Sequence, residues 1–346
     1  MLIQTNTFLV KWLRRLSQFK FFYNDWLDFD GMLNNTGRDH IVNLDTDFFK
    51  SLNFDNESLK QYRIDAARLC AETLGDKPAL CFSGGLDSQA MLQCWHEANL
   101  DFDTIIVTFN DRLNHHDSDH AKMYCERNGY KYKELNFDVI QFLNRDNHEY
   151  GIKYNSCSPH FNVHYKIVEL LADMGYTGVC NGGDAPYNHN GVWGENFSKN
   201  PFHFLKIKDK FPMPFQGSFL SFYPQLSWAI ALFTQFDSDV FKGVDTVIRD
   251  WEIEQQIRHY RYTKKIFAYN KVGFNVMPQE TKFTGFELVK KYYENLTGDG
   301  WTFERKFRYP LVALLDNDKN VYKFNLNSEQ LSVITSIQLN NLRPAL

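Results

Sequence analysis

Six consecutive residues, Ser83-Gly84-Gly85-Leu86-Asp87-Ser88, place two hydroxyls, two adjacent glycines and a carboxylate between an apolar run and an amphipathic pattern. Adjacent glycines cost backbone entropy when ordered, so the stretch reads as a place where a ligand comes close to the main chain. At a helix start, unpaired N–H groups and a partial positive charge favour an anion, phosphate above all. Ser83 and Ser88 add hydroxyl donors. Asp87 would repel phosphate unless a divalent cation lies between them, as Mg²⁺ does when it takes carboxylate and phosphate oxygens together. The bare alternative is a strand-to-helix turn capped by Ser83 or Asp87. Neither the Gly-Lys-Ser/Thr triplet of the Walker loop nor a Gly-x-Gly-x-x-Gly fingerprint occurs.

The surrounding pattern explains how such a loop would be held. Residues 56–74 carry apolar side chains on one helical face, with Gly75 as a stop. Ala79 to Phe82 reads as a buried strand, Asp87 to Ala98 as a helix, and Thr104 to Phe109 as a β-branched strand covered on both faces. A helix over Ser118 to Asn128, ended by Gly129, a strand in Tyr130 to Phe137, helices over Val139 to His148 and Pro159 to Met174, and a strand in Thr177 to Asp184 follow. This alternation predicts an α/β fold: a Rossmann-like parallel sheet with helices on both faces and right-handed crossovers. In such sheets, ligands bind beyond the carboxyl ends of the strands, where Ser83 to Asp87 falls. Residues 1–56 read as an irregular extension with a short helix near Phe8 to Leu16. Residues 57–200 read as the α/β domain, with a loop-like stretch after Asp184. Residues 201–346 read as a mainly helical C-terminal lobe.

The hexapeptide SGGLDS resembles the signature of the PP-loop, or N-type, ATP pyrophosphatases, and Leu86 makes it similar to the synthetase domain of asparagine synthetases. The resemblance covers about residues 57–200, with weaker echoes to 300. It implies an adenine nucleotide alpha hydrolase-like fold, ATP and Mg²⁺ as cofactors, and cleavage of ATP to AMP and pyrophosphate. AMP would be passed to a carboxylate or amide oxygen of a small-molecule acceptor and displaced by a nitrogen nucleophile. Carried over to this chain, the nucleotide contacts are Ser83, Gly84, Gly85, Leu86, Asp87 and Ser88. The base would lie near Phe82 and the Val107, Thr108 and Phe109 stretch, for which ordinary strand packing is the alternative. Gly182, Gly183 and Asp184 stand where the family has a glycine-rich acidic loop, which makes Asp87 and Asp184 the metal ligands. Ala185 replaces the family's second acid there, and a cap or turn role is the alternative for Asp184. Lys282, with Gly285 and Phe286, approximates the family's lysine segment with one extra residue. The implied catalytic residues are Asp87 and Lys282, the lysine offsetting leaving-group charge; the alternative is a surface lysine.

The chain also departs from the family. Glutamine-dependent asparagine synthetases carry a cysteine after the initiator methionine, whereas residue two here is Leu2, and the stretch before the loop is short for a glutaminase. Ammonia, a substrate amine, or a separate ammonia- or sulfur-donor protein would then supply the nucleophile. The clustered cysteines of 7-cyano-7-deazaguanine synthases are missing. Two other readings use the same loop: thiolation or amination of a tRNA or DNA base, and ATP binding without catalysis. The first would draw on Cys157, otherwise a loop cysteine.

Other constellations carry less. His116 and His120 are four apart, with Asp117 and Asp119 near them; a helix cap at Asp117 and Ser118 with a solvent face is the preferred reading over a metal site. The basic, aromatic run Arg258 to Lys265 reads as a solvated helix face rather than an RNA contact.

Bulk properties bound the rest. The 346 residues carry a formal net charge of −4, which does not suggest a coat for nucleic acid or anionic membrane. The 31 phenylalanines and 18 tyrosines indicate thick aromatic packing, or simply AT-rich codon usage. Six cysteines with no Cys-x-x-Cys pair read as free thiols of a reducing, cytoplasmic compartment. The N-terminus does not have the pattern of a secretory signal. Phe219 to Phe236, interrupted by Pro224 and Gln225, reads as a buried helix rather than a membrane span.

Overall fold

The computed structural model describes residues 21–24, 27–29, 39–42, 44–154, 159–183, 185–189, 192–195, 216–221, 223–234, 251–279, 285–297, 322–324 and 326–341. Five short runs pair in parallel: β1 (Pro78–Cys81), β2 (Asp103–Phe109), β3 (Lys133–Phe137), β4 (Gly178–Asn181) and β5 (Gln216–Ser218). Their order is β5-β4-β1-β2-β3. The chain moves outward from β1 to β3 and then returns to the other side of β1, so a topological switch point lies between β1 and β4. A crevice opens at the carboxyl ends of the strands at such a point. The sequence pattern indicates the first four strands. The fifth is three residues long and lies beyond the stretch where the alternation is visible.

Strand side chains alternate between two cores, as a pleated sheet covered on both faces requires. Leu80, Phe82, Ile106 and Cys180 enter one core, with α2 (Asn56–Leu74), α3 (Leu86–Glu97) and α4 (His115–Asn128). Ala79, Ile105 and Val179 enter the other, with α5 (Val139–Arg145) and α7 (Pro159–Asp173). The intervening α6 (Asn147–Tyr154) adds Tyr150 to that second core. The helix ends follow their sequence signals. Asp55 caps α2 by accepting from Ser58 N at 2.8 Å, and Gly129 ends α4 at a left-handed φ of 68°.

The C-terminal helices join these cores rather than standing apart from them. α8 (Pro224–Phe233) is buried from Leu226 to Phe233. Leu226, Ala229, Ile230 and Phe233, spaced at helical period, face the first core, while Trp228, Ala231 and Leu232 face a third. That third core is closed by α1 (Thr46–Ser51) through Phe49 and by α11 (Ser328–Asn341) through Ile334. Phe49 and Trp228 meet edge-to-face at 4.9 Å. Between α8 and α11 in sequence lie α9 (Trp251–Lys271) and α10 (Glu287–Thr297). The expected buried helix after Phe219 is thus present, starting with Pro224 in its first turn.

Two expectations are corrected. The N-terminal extension is not simply irregular, and the stretch after Asp184 is not simply loop. Phe21–Asn24, Leu27–Phe29, Asp39–Val42, Tyr322–Phe324, Val192–Glu195 and Tyr187–His189 form, in that order, a second sheet. Its strands have three or four residues, too few to show a period of two. Partners such as Tyr322 and Glu195 are also remote in sequence. The expected helix at Phe8 to Leu16 lies outside the described residues. Among the described residues, no helix is long and apolar enough to cross a membrane.

Candidate functional site

The loop between β1 and α3 has the shape its composition demands. Phe82 continues the strand, its N–H donating to the Ile105 carbonyl at 2.8 Å. Gly84 then takes a φ of 76°, and a Cβ there would lie 3.0 Å from the Ala121 nitrogen on α4. Only glycine satisfies both constraints. Gly85 is the N-cap of α3 in an extended conformation, with no side chain to occupy the amides of the first turn. The Ser88 hydroxyl donates to the Gly85 carbonyl at 2.8 Å and lies 3.3 Å from the Ser83 hydroxyl. Gln89 closes the loop from below by donating from Nε2 to the Gly84 carbonyl at 2.7 Å.

Across the switch point, the loop after β4 presses on the same turn. A Cβ on Gly182 would lie 2.5 Å from the Asp87 carbonyl carbon and the Ser88 nitrogen. Gly183 adopts a φ of 71°. The two glycines therefore let two strand-end loops touch through their backbones. Asp184 lies outside the described residues.

Between these loops is a cavity of about 320 Å³. Ser83, Asp87 and Ser88 form one side, and Gly182 and Gly183 another. Val107 and Phe109 line it from β2, and Phe286 closes it from the start of α10, its ring 5.4 Å from Phe109. Phe82 lines it too but is 2% exposed and packs on Tyr124. Leu86 is buried in the first core. Thr108 points elsewhere, into a separate, open cavity of about 700 Å³ with Asp111, Arg112 and Lys122. The sequence-predicted residues Ser83, Asp87, Ser88, Phe82, Phe109, Gly182 and Gly183 are thus brought to one cavity, and Thr108 is not.

Charge at this cavity is arranged in ways the sequence did not announce. Lys265, from α9, places its ammonium 2.8 Å from both oxygens of Asp87. The fully buried Tyr269 donates its hydroxyl to Asp87 Oδ1. Asp117 and His164 also line the cavity. Burial pushes the His164 imidazole down to about 4, so it is neutral at physiological pH. Burial likewise pushes the Cys81 thiol, on the cavity wall, up to about 12.

Three expectations about single side chains are corrected. α4 starts at His115 with Asn114 as N-cap, so Asp117 lies inside the first turn and is 7% exposed rather than capping the helix. The physical reason is Asn114 itself, whose side chain accepts from Phe109 N at 2.7 Å and donates to the Val107 carbonyl at 2.8 Å, tying the helix start to the end of β2. His116 and His120 do not face solvent. His120 is 8% exposed with Nε2 3.2 Å from the Met277 carbonyl, and His116 Nε2 lies 3.6 Å from Glu287. They turn inward because residues 272–279 lie along α3 and α4. There Met277 N donates to Gln89 Oε1 at 2.7 Å, and Asn275 N donates to Gln93 Oε1 at 2.9 Å. The run Arg258 to Lys265 is not wholly a solvated face. Tyr262, Lys265 and Tyr269 share one side of α9, where the Tyr262 hydroxyl accepts from Gln279 N at 2.8 Å and the other two reach Asp87. Spacings of three and four along a 21-residue helix were the available signal. Lys282 and Cys157 lie outside the described residues.

The donor set suits one kind of metal. Ser83, Asp87 and Ser88 offer hard oxygens, and Mg²⁺ uses one or two carboxylates with phosphate oxygens and water for the rest. Among the described residues, no group of three or more His, Cys, Asp or Glu forms a cage for a metal on its own.

No protein-family model matches this chain, and no curated protein matches it. Solved structures do. One is described as the crystal structure of the predicted subunit of a tRNA methyltransferase from Methanocaldococcus jannaschii. It is 21% identical over 31% of this chain and 53% of its own, about half its length, with a TM-score of 0.24. Another is the U34-tRNA thiolase NcsA from Methanococcus maripaludis with its [4Fe-4S] cluster. It is 14% identical over 75% of this chain and 82% of its own, with a TM-score of 0.29.

Proposed function

We propose that this chain is an ATP-pyrophosphatase-type enzyme. It binds ATP in the cavity at the switch point and cleaves it to AMP and pyrophosphate. The carrying observation is that Ser83, Asp87 and Ser88 of one strand-end loop and Gly182 and Gly183 of another line one cavity at the carboxyl edge of a parallel sheet.

The roles follow from placement. The open first turn of α3 and the Ser83 and Ser88 hydroxyls receive the β and γ phosphates. Val107, Phe109 and Phe286 give the base or ribose an apolar wall. Asp87, with Asp184, would hold the nucleotide's Mg²⁺, whose chemistry there would be to offset negative charge on the phosphates. Lys282 adds to that neutralisation. Orientation of the α phosphate towards an acceptor oxygen supplies much of the rate. The acceptor is a small molecule with a carboxylate or amide oxygen, and a nitrogen nucleophile displaces AMP.

Base thiolation on the same loop is the second reading. Its sulfur would come from a separate donor protein or from a thiolate of the chain, and burial pushes the thiols of Cys70, Cys81, Cys94 and Cys125 up. Of the chain's own thiols, Cys157 is the one the sequence places in a loop near the site, and its replacement would abolish product in a thiolase and spare a ligase.

Incubation with ATP, Mg²⁺ and pooled amino acids, nucleobases or tRNA tests the proposal. AMP and pyrophosphate are the expected products, and Asp87→Ala lowers their formation at least about a hundredfold. ADP as the sole product, or full AMP formation by Asp87→Ala, contradicts it.

A further inference from the structure

Asp87 poses an electrostatic problem that the nucleotide reading alone leaves open. A carboxylate at the mouth of a phosphate cradle repels a polyphosphate whenever the nucleotide arrives without its metal. In this structure that carboxylate already has a cation. Lys265 Nζ stands 2.8 Å from Oδ1 and 2.8 Å from Oδ2, and Tyr269 holds Oδ1 from the same face of α9. The side chains of the pair are 25% and 17% exposed, so water screens them only in part. Lys265 does not line the cavity, whereas Asp87 does. The carboxylate thus lines the cavity while its cation reaches it from α9.

We propose that Lys265 is the resident counter-ion of Asp87: it neutralises the carboxylate while the loop is metal-free, and yields it to the divalent cation that arrives with the nucleotide. Lys265 is thus a positioning residue that acts through Asp87. The inference rests on the nucleotide reading and extends it to how the loop tolerates its own acid. Two cations, one from the chain and one from the ligand, serve the same carboxylate in turn. Removing the lysine then matters most when the metal is missing, because the metal substitutes for it. A merely structural lysine would give the same loss in both conditions.

The test is a four-way comparison of ATP binding by calorimetry, in excess Mg²⁺ and in chelator, with adenosine as a phosphate-free probe. The proteins are the wild type, Lys265→Met, Lys265→Arg, and the double variant Lys265→Met/Asp87→Asn. Lys265→Met is expected to weaken metal-free ATP at least about tenfold, Mg·ATP less than about threefold, and adenosine not at all. Lys265→Arg keeps the wild-type values within about threefold. The double variant regains metal-free ATP binding, since no uncompensated carboxylate remains. Equal losses with and without Mg²⁺, no loss in either, or no recovery in the double variant overturns the counter-ion role while wild-type ATP binding stands. A wild type that binds no ATP in either condition overturns the nucleotide reading and this inference with it.

Discussion

His164 shows how burial shifts the chemistry of a residue. It lies on α7 at the cavity wall, and desolvation holds its imidazole down at about 4 against an ordinary 6.5. Between those two values the unfolded chain binds a proton that the folded chain refuses. Stability therefore falls as pH drops from about 6.5 towards 4, and is independent of this group above that window. Urea titrations across pH 4 to 7 should show the slope, and His164→Gln should flatten it by at most about 3 kcal/mol. An unchanged slope in the variant contradicts the assignment. Ser83, Gly84, Gly85, Asp87 and Ser88 were legible because their neighbours in sequence define the strand and helix around them. Lys265 and Tyr269 were not, because their partner Asp87 is 178 and 182 positions away and a basic, aromatic run looks the same on a solvated helix.

At the scale of elements, the site depends on two loops meeting through glycine. Gly182→Ala puts a methyl group 2.5 Å from the α3 backbone, so either the β4 loop or the first turn of α3 must move. The expected cost is about 1–3 kcal/mol, with ATP affinity reduced in parallel. Gly129→Ala is the comparison. That glycine has a φ of 68° but open space around it, so only the left-handed penalty of about 1 kcal/mol applies and nucleotide binding is untouched. Denaturant midpoints and calorimetry on both variants decide it; equal effects on binding contradict the contact. α2 and α3 were readable from their periodicity and α8 from its long apolar run. The hairpin Tyr187–His189 to Val192–Glu195 was missed although Asn190-Gly191 sits between the paired His189 and Val192, the strongest two-residue hairpin signal there is. The surrounding Asn and Gly residues masked it as loop.

At the scale of the molecule, α8 ties the parallel sheet to α1 and α11, helices from opposite halves of the chain. One side packs on α2 and α9, and the other carries Trp228 into the core shared with α1 and α11. Trp228→Ala is expected to cost about 3–5 kcal/mol, because the indole is fully buried and packs in a core shared with two other helices, α1 and α11. The cavity between β1 and β4 does not include it, so ATP affinity of the folded variant should stay within about twofold. A small loss of stability, or a large loss of affinity, contradicts this division. The α/β class and the placement of the loop at the sheet's carboxyl edge follow from the alternation of residues 76–185. The second sheet does not, since its six short strands come from three distant stretches and gain meaning only on pairing.

The most direct measurement is a crystal structure with Mg²⁺ and the α,β-methylene analogue of ATP, which cannot be cleaved at that bond. The expected result is the phosphate chain against Ser83 to Ser88, with the base along Val107 and Phe109. Electron density for the analogue at another place on the protein, with that loop vacant, contradicts the account.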